Sequence, residues 1–142
     1  MKKKDVFISI IGTQFSDNDK DTSELYTNGI FYKDKDSYYI SYDETETSGF
    51  KGCRTVVKAS GNQKIIMMRN GAAQSHLIME NQKRCIGEYG LDGHSFSIGV
   101  TTEEIKNGLS DSGGVLFFRY QLDLNAQFLS TNEVTITVRD KE

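Results

Sequence analysis

The chain has 142 residues, a formal net charge of −3, and 37% hydrophobic and 26% charged residues, with no Pro and no Trp. That length fits one domain, which buries about 68% of its unfolded surface and needs no disulfide staples. The acidic balance argues against a nucleic-acid partner, which requires a basic face, and no run approaches the roughly 18 apolar residues of a membrane helix.

The only basic run, Lys2-Lys3-Lys4, precedes an apolar stretch from Val6 to Ile11 that Ser9 interrupts; it is too short for a signal-peptide core. Cys53 and Cys85 stand far apart without a C-x-x-C, so a metal or redox pair is not expected. The plain reading is a cytoplasmic chain with two reduced thiols. Tyr and Phe number 7 and 8, and Gly 13, a composition that suits pleated surfaces joined by tight turns.

In chain order, residues 6–15 read as a first strand with Val6, Ile8 and Ile10 on one face. Residues 16–21 form a polar turn. Its Asp17, Asp19 and Asp21 have the opening spacing of a calcium loop, but Thr22 stands where that loop needs Gly, and Asn28 where it needs Glu. A solvated turn is the better reading. Residues 23–32 and 37–44 read as strands two and three around the turn 33–36; Tyr38, Ile40 and Tyr42 share a face that Glu44 continues. A loop over 45–52 leads to a fourth strand over 53–59.

Residues 63–79 form a hairpin about Asn70-Gly71, the strongest turn signal in the chain. A two-residue type I′ turn there sets Arg69 opposite Ala72, Met67 opposite Gln74 and Ile65 opposite His76. The other face carries Ile66, Met68, Ala73, Leu77 and Met79. It is the more apolar, so it is expected to face the core and to turn Arg69 outward.

Residues 84–89 extend, and Gly87, Gly90 and Gly93 read as turn or bulge glycines rather than a nucleotide loop. Residues 94–102 form a strand. Thr101-Thr102-Glu103-Glu104 has a capping-box pattern that offers one helical turn at most, ending at Gly108. After a turn at 110–114, residues 115–124 show the cleanest alternation, with Leu116, Phe118, Tyr120, Leu122 and Leu124 on one face and solvated Arg119 and Asp123 on the other. Asn125-Ala126 turns into a last strand carrying Val134, Ile136 and Val138. The pattern is all-β: a single antiparallel meander barrel of about 8–10 strands, closed because an open meander leaves edges exposed, with a β-sandwich as the alternative.

The order of Gly29-Ile30-Phe31-Tyr32, Tyr39-Ile40-Ser41-Tyr42-Asp43-Glu44, Arg54-Thr55-Val56-Val57-Lys58, Ile66-Met67-Met68-Arg69-Asn70-Gly71 and Phe118-Arg119-Tyr120 resembles the YwiB-like family of Gram-positive bacteria. The resemblance covers nearly the whole chain. It implies a calycin-like, lipocalin-like β-barrel and no established function. Its Tyr-x-Glu falls on Tyr42 and Glu44, and its Arg-x-Gly on Arg69 and Gly71. The chain departs from the family pattern at Met79 and around Glu88 to Gly93. The resemblance implies that Arg69 lies in the barrel interior, against the hairpin reading.

Enzyme chemistry has little to stand on. Gly93-His94-Ser95-Phe96-Ser97 falls short of a nucleophile elbow, His76 and His94 have no zinc-ligand spacing, and no phosphate loop is present. Glu44 and His76 form the one conceivable acid–base pair. No metal or cofactor is expected. The polar residues inside the expected strands make the candidate ligand site: Arg69, Glu44, Tyr42, Arg54, His76 and Tyr120, with Met67 as a further wall. An interior Arg69 needs a carboxylate partner, best supplied by Glu44, or an anionic ligand. Two functions follow: a cytoplasmic barrel that binds a small, partly apolar, anionic molecule, or an interaction module with a packed lumen. The second reading has an outer apolar face, motivated by Ile65-Ile66-Met67-Met68, that meets a protein or a second copy in a homodimer.

Overall fold

The computed structural model describes residues 2–45, 51–91 and 93–141. They form ten strands: β1 (Lys4–Ser16), β2 (Asp19–Asp34), β3 (Ser37–Asp43), β4 (Arg54–Ser60), β5 (Lys64–Asn70), β6 (Ala73–Glu80), β7 (Arg84–Leu91), β8 (His94–Asn107), β9 (Gly113–Leu124) and β10 (Gln127–Asp140). Each strand pairs antiparallel with its sequence neighbours, and β1 pairs with β10 to close the ring. Closure gives every described strand a neighbour on both sides, although β6 and β7 pair only over Ala73–His76. The meander barrel is thus the fold, and the sandwich alternative falls. Among the described residues no helix is long and apolar enough to cross a membrane.

Alternation builds the interior. Ile8, Ile40, Val57, Ile65, Met79, Leu116, Phe118 and Ile136 are fully buried and meet inside the ring. On β9 the expected face holds from Leu116 to Tyr120, and Leu124 emerges at the rim. The opposite face is less passive than its sequence implies. Arg119 donates to Glu104 at 2.9 Å and Glu133 at 3.1 Å, and Arg84 bonds Asp123 at 2.7 Å, tying β7 to β10 across the outer wall.

The two ends of the barrel differ. At one end Lys4 Nζ donates to the Asp111 carbonyl at 2.7 Å and the Tyr38 hydroxyl to the Asp111 carboxylate at 2.8 Å, drawing the β8–β9 connection over the core. The other end is an uneven mouth. Strands β3 to β7 span 7 or 8 residues, whereas β2 has 16 and β10 has 14, so one wall rises well above the other.

Local turn chemistry departs from expectation in three places. The polar turn after β1 is short: Asp19 and Asp21 already pair with Ser16 and Gln14 in the β1–β2 ladder. The Thr101–Glu104 pattern caps no helix. It lies within β8, where a bulge between Thr102 and Glu104 lets Thr102 and Ile105 both face inward despite their odd spacing. The loop expected over 45–52 lies largely outside the described residues.

The third departure matters most. Asn70-Gly71 is not a type I′ turn. Arg69 pairs with Ser75, Met67 with Leu77 and Ile65 with Met79, a register three residues away from the expected one. An odd shift exchanges faces on one strand relative to the other. Ala73, Leu77 and Met79 stay inside as expected, but β5 buries Ile65 and Met67 rather than Ile66 and Met68. The cause is tertiary. Gly71 has φ +144°, and a Cβ there would stand 2.8 Å from Cys53 Cα; the loop is pressed against the chain entering β4. Cys53 Sγ also lies 3.6 Å from the Ala73 carbonyl.

The type I′ geometry occurs instead at Asn125-Ala126, with φ of +52° and +69°. Left-handed backbone is strained for Ala, because its Cβ crowds the following carbonyl. Ala126→Gly should therefore raise unfolding stability by about 0.5–1 kcal/mol after the entropy Gly adds to the unfolded chain. Equilibrium urea unfolding measures it, and an unchanged or lower midpoint would count against this turn.

Candidate functional site

One row of the barrel wall carries a run of hydrogen-bonding side chains. Tyr42 on β3 pairs with Thr55 on β4, Thr55 with Arg69 on β5, Arg69 with Ser75 on β6, and Ser75 with Tyr89 on β7. The pleat turns all five inward, just below the mouth. Tyr42, Thr55 and Ser75 are buried and Tyr89 is half-buried.

Glu44 completes the row from just beyond the end of β3. Its backbone N–H donates to the Cys53 carbonyl at 2.9 Å, which turns the carboxylate into the interior. There Oε2 accepts a hydrogen bond from Thr55 Oγ1 and contacts from Arg69 Nε at 3.4 Å and Nη2 at 3.3 Å. The Glu44 side chain is 2% exposed and that of Arg69 15%. Such a pair is costly to desolvate and holds only when each charge has partners. Burial, and next the negative Glu44, push the Tyr42 phenol above its ordinary range, and burial pushes Tyr120 up to about 12. Both therefore remain hydroxyl donors at neutral pH.

These groups line a cavity of about 180 Å³. Tyr42, Glu44, Met67, Arg69 and Tyr120 form its polar and aromatic side; Ile10, Leu25, Val134 and Ile136 form an aliphatic side, with exposed Glu24 at the rim. A vestibule of about 330 Å³ shares Gly12, Ser23, Tyr120 and Val134 with it and carries Gln14, Asp21 and Asn132 toward solvent. A further concavity, about 550 Å³, lies on the outer surface between Phe7 and Tyr26 and does not reach Arg69.

The structure thus brings together Arg69, Glu44, Tyr42, Tyr120 and Met67. It removes the other two candidates. Arg54 precedes inward Thr55 and so points out, where it bonds Asp43 at 2.9 Å. His76 follows inward Ser75 and is exposed on the outer wall, opposite Met68 and Glu88. The barrel wall separates it from Glu44, so their acid–base pair does not form. Sequence reasoning missed Thr55 and Ser75. The alternation Thr55, Val57, Ala59 marked the first; the second follows only from the true hairpin register.

Residues 8–136 match a domain of unknown function, DUF1934. The uncharacterized β-barrel protein YwiB of Bacillus subtilis (strain 168) is 23% identical over 121 residues, covering 85% of this chain and 83% of that protein. The crystal structure of the ywiB protein from Bacillus subtilis superposes with a TM-score of 0.87 at 19% identity, covering 99% of this chain and 94% of that one. The likeness to that structure is one of fold.

The buried tyrosines give the barrel an alkaline limit. Their folded pKa values lie above the reference value of 10.0. Stability from keeping them neutral is complete below pH 10 and is lost as pH rises from there through the folded values. Each contributes a slope of about 1.4 kcal/mol per pH unit in that window. Urea midpoints between pH 9 and 12 should therefore fall less steeply for the Tyr42→Phe, Tyr120→Phe double variant; parallel curves would contradict the burial.

Proposed function

The chain belongs to the DUF1934 family, and we propose that its barrel is a cytoplasmic binding module for a small, partly apolar, anionic ligand held at Arg69. The observation that carries this is the placement of a guanidinium in the wall of an interior cavity whose other side is aliphatic. An apolar pocket with a few convergent polar groups is the usual form of a small-molecule site. Arg69 supplies planar donors that suit a carboxylate, and its contacts to Glu44 are longer than the roughly 2.7–2.9 Å of tight charge-assisted bonds. Tyr42 and Tyr120 supply walls with hydroxyl ends. The free thiols of Cys53 and Cys85 fit a reducing compartment.

One observation favours a second reading. Ile66 and Met68 face outward, Ile66 beside Ile78, and Ile86 on β7 is 55% exposed, so the outer wall of β5 to β7 offers apolar groups to a protein or a second copy. One experiment separates the two. A thermal-shift titration with the carboxylates from butanoate to octanoate, and with inorganic phosphate, should raise the unfolding midpoint by about 5–10 °C near 100-fold excess over Kd. Arg69→Met should abolish the rise. The ligand reading fails if no anion shifts the midpoint or if Arg69→Met responds like the parent. A midpoint that climbs instead with protein concentration is the signature of self-association.

A further inference from the structure

Among the described residues the buried charges of the cavity are one of each sign, and this decides what complements them. Arg69 and Glu44 line the inner part of the same 180 Å³ space and contribute one charge of each sign, while exposed Glu24, which accepts from the Tyr26 hydroxyl, adds a second carboxylate at the rim. A bare carboxylate placed on Arg69 also meets Glu44, and like charges in a water-poor site repel. A ligand that brings its own cation removes that conflict.

The geometry has a place for such a cation. The hydrogen bonds from Thr55 and Arg69 all end on Glu44 Oε2, and the Tyr42 hydroxyl also hydrogen-bonds the carboxylate. Each carboxylate oxygen has two acceptor positions, so with one Tyr42 bond counted Oε1 retains one for an ammonium group. The facing wall of Ile10, Leu25, Val134 and Ile136 is aliphatic. The volume falls below the roughly 300–1,000 Å³ of drug-sized pockets and would hold about six waters at liquid density. Below the cavity the barrel is filled by Phe118, Leu116 and Ile65, so a long acyl chain cannot extend inward.

Resting on the anion-site reading above, we propose that the ligand is a free α-amino acid with an aliphatic side chain. Its carboxylate sits on Arg69, its ammonium on Glu44, and its side chain against Val134 and Ile136. The ligand inserts its own charge pair beside that of the protein, so neither buried charge is left uncompensated.

The test is calorimetric titration of the whole chain with L-leucine, with 4-methylpentanoate, which is leucine without its ammonium, and with 3-methylbutylamine, which lacks the carboxylate. L-Leucine should bind at least about tenfold more tightly than either analogue, the ratio expected for a hydrogen bond to a buried charge. Glu44→Gln should erase the advantage over 4-methylpentanoate while that acid binds as well as before or better. If Glu44→Gln does not fold, the three wild-type affinities alone decide. Equal affinities for leucine and 4-methylpentanoate overturn the amino-acid assignment and leave the anion site standing. Failure of both to bind overturns the two together.

Discussion

The contact between Arg69 and Glu44 constrains the rest of this barrel. Two charges sit within 3.3 Å inside a ring otherwise filled with aliphatic and aromatic side chains. Neither is tolerable there alone, because an isolated buried charge costs several kcal/mol. Glu44 must therefore turn in at the end of β3, fixed by its backbone bond to Cys53, and Arg69 must occupy an inward position of β5. Thr55 stands between them on β4, at the one position that reaches Glu44 while pairing with Arg69. The pair thus joins strands β3, β4 and β5, and with Ser75 it helps to define the register into β6.

That requirement explains a hairpin that local preference alone misassigns. Asn70-Gly71 favours a two-residue turn, but such a turn would set Arg69 opposite Ala72 and out of step with Ser75. The observed connection is longer and lies against Cys53, where only Gly71 fits. Burial of Ile65 and Met67, with the Arg69–Glu44 contact, outweighs the few tenths to one kcal/mol at stake in turn type. Elsewhere the outer wall absorbs charge without such consequences, since exposed bridges like Arg84–Asp123 contribute about 0–1 kcal/mol.

The fold was legible in the sequence because strand alternation is a local signal. Leu116, Phe118 and Tyr120 on β9, and Tyr38, Ile40 and Tyr42 on β3, declare their inner faces without help from any neighbour. Closure followed from the absence of long crossovers. The site was legible in part. Glu44 and Tyr42 continue an apolar face, and the family resemblance located Arg69 inside. What remained hidden depends on register between strands. Arg54 and His76 are one residue away from inward positions, and on a pleat a shift of one residue exchanges inside for outside. Ser75 is the complementary case, unremarkable in sequence and placed beside Arg69 by the hairpin. The bulge in β8 is likewise invisible locally, because the pattern from Thr101 to Glu104 satisfies a helix cap equally well.

The most direct test of the buried pair is a double-mutant cycle on Arg69→Met and Glu44→Leu, read by equilibrium urea unfolding of the parent, the two single variants and the double variant. A pair that meets inside the barrel predicts that each single change costs about 3–5 kcal/mol, because it takes the opposite charge away from a buried ion. The double change then costs less than their sum by about 1–3 kcal/mol. Single costs that add to within about 0.3–0.5 kcal/mol would contradict it, for they would mean that the two side chains do not meet inside the barrel.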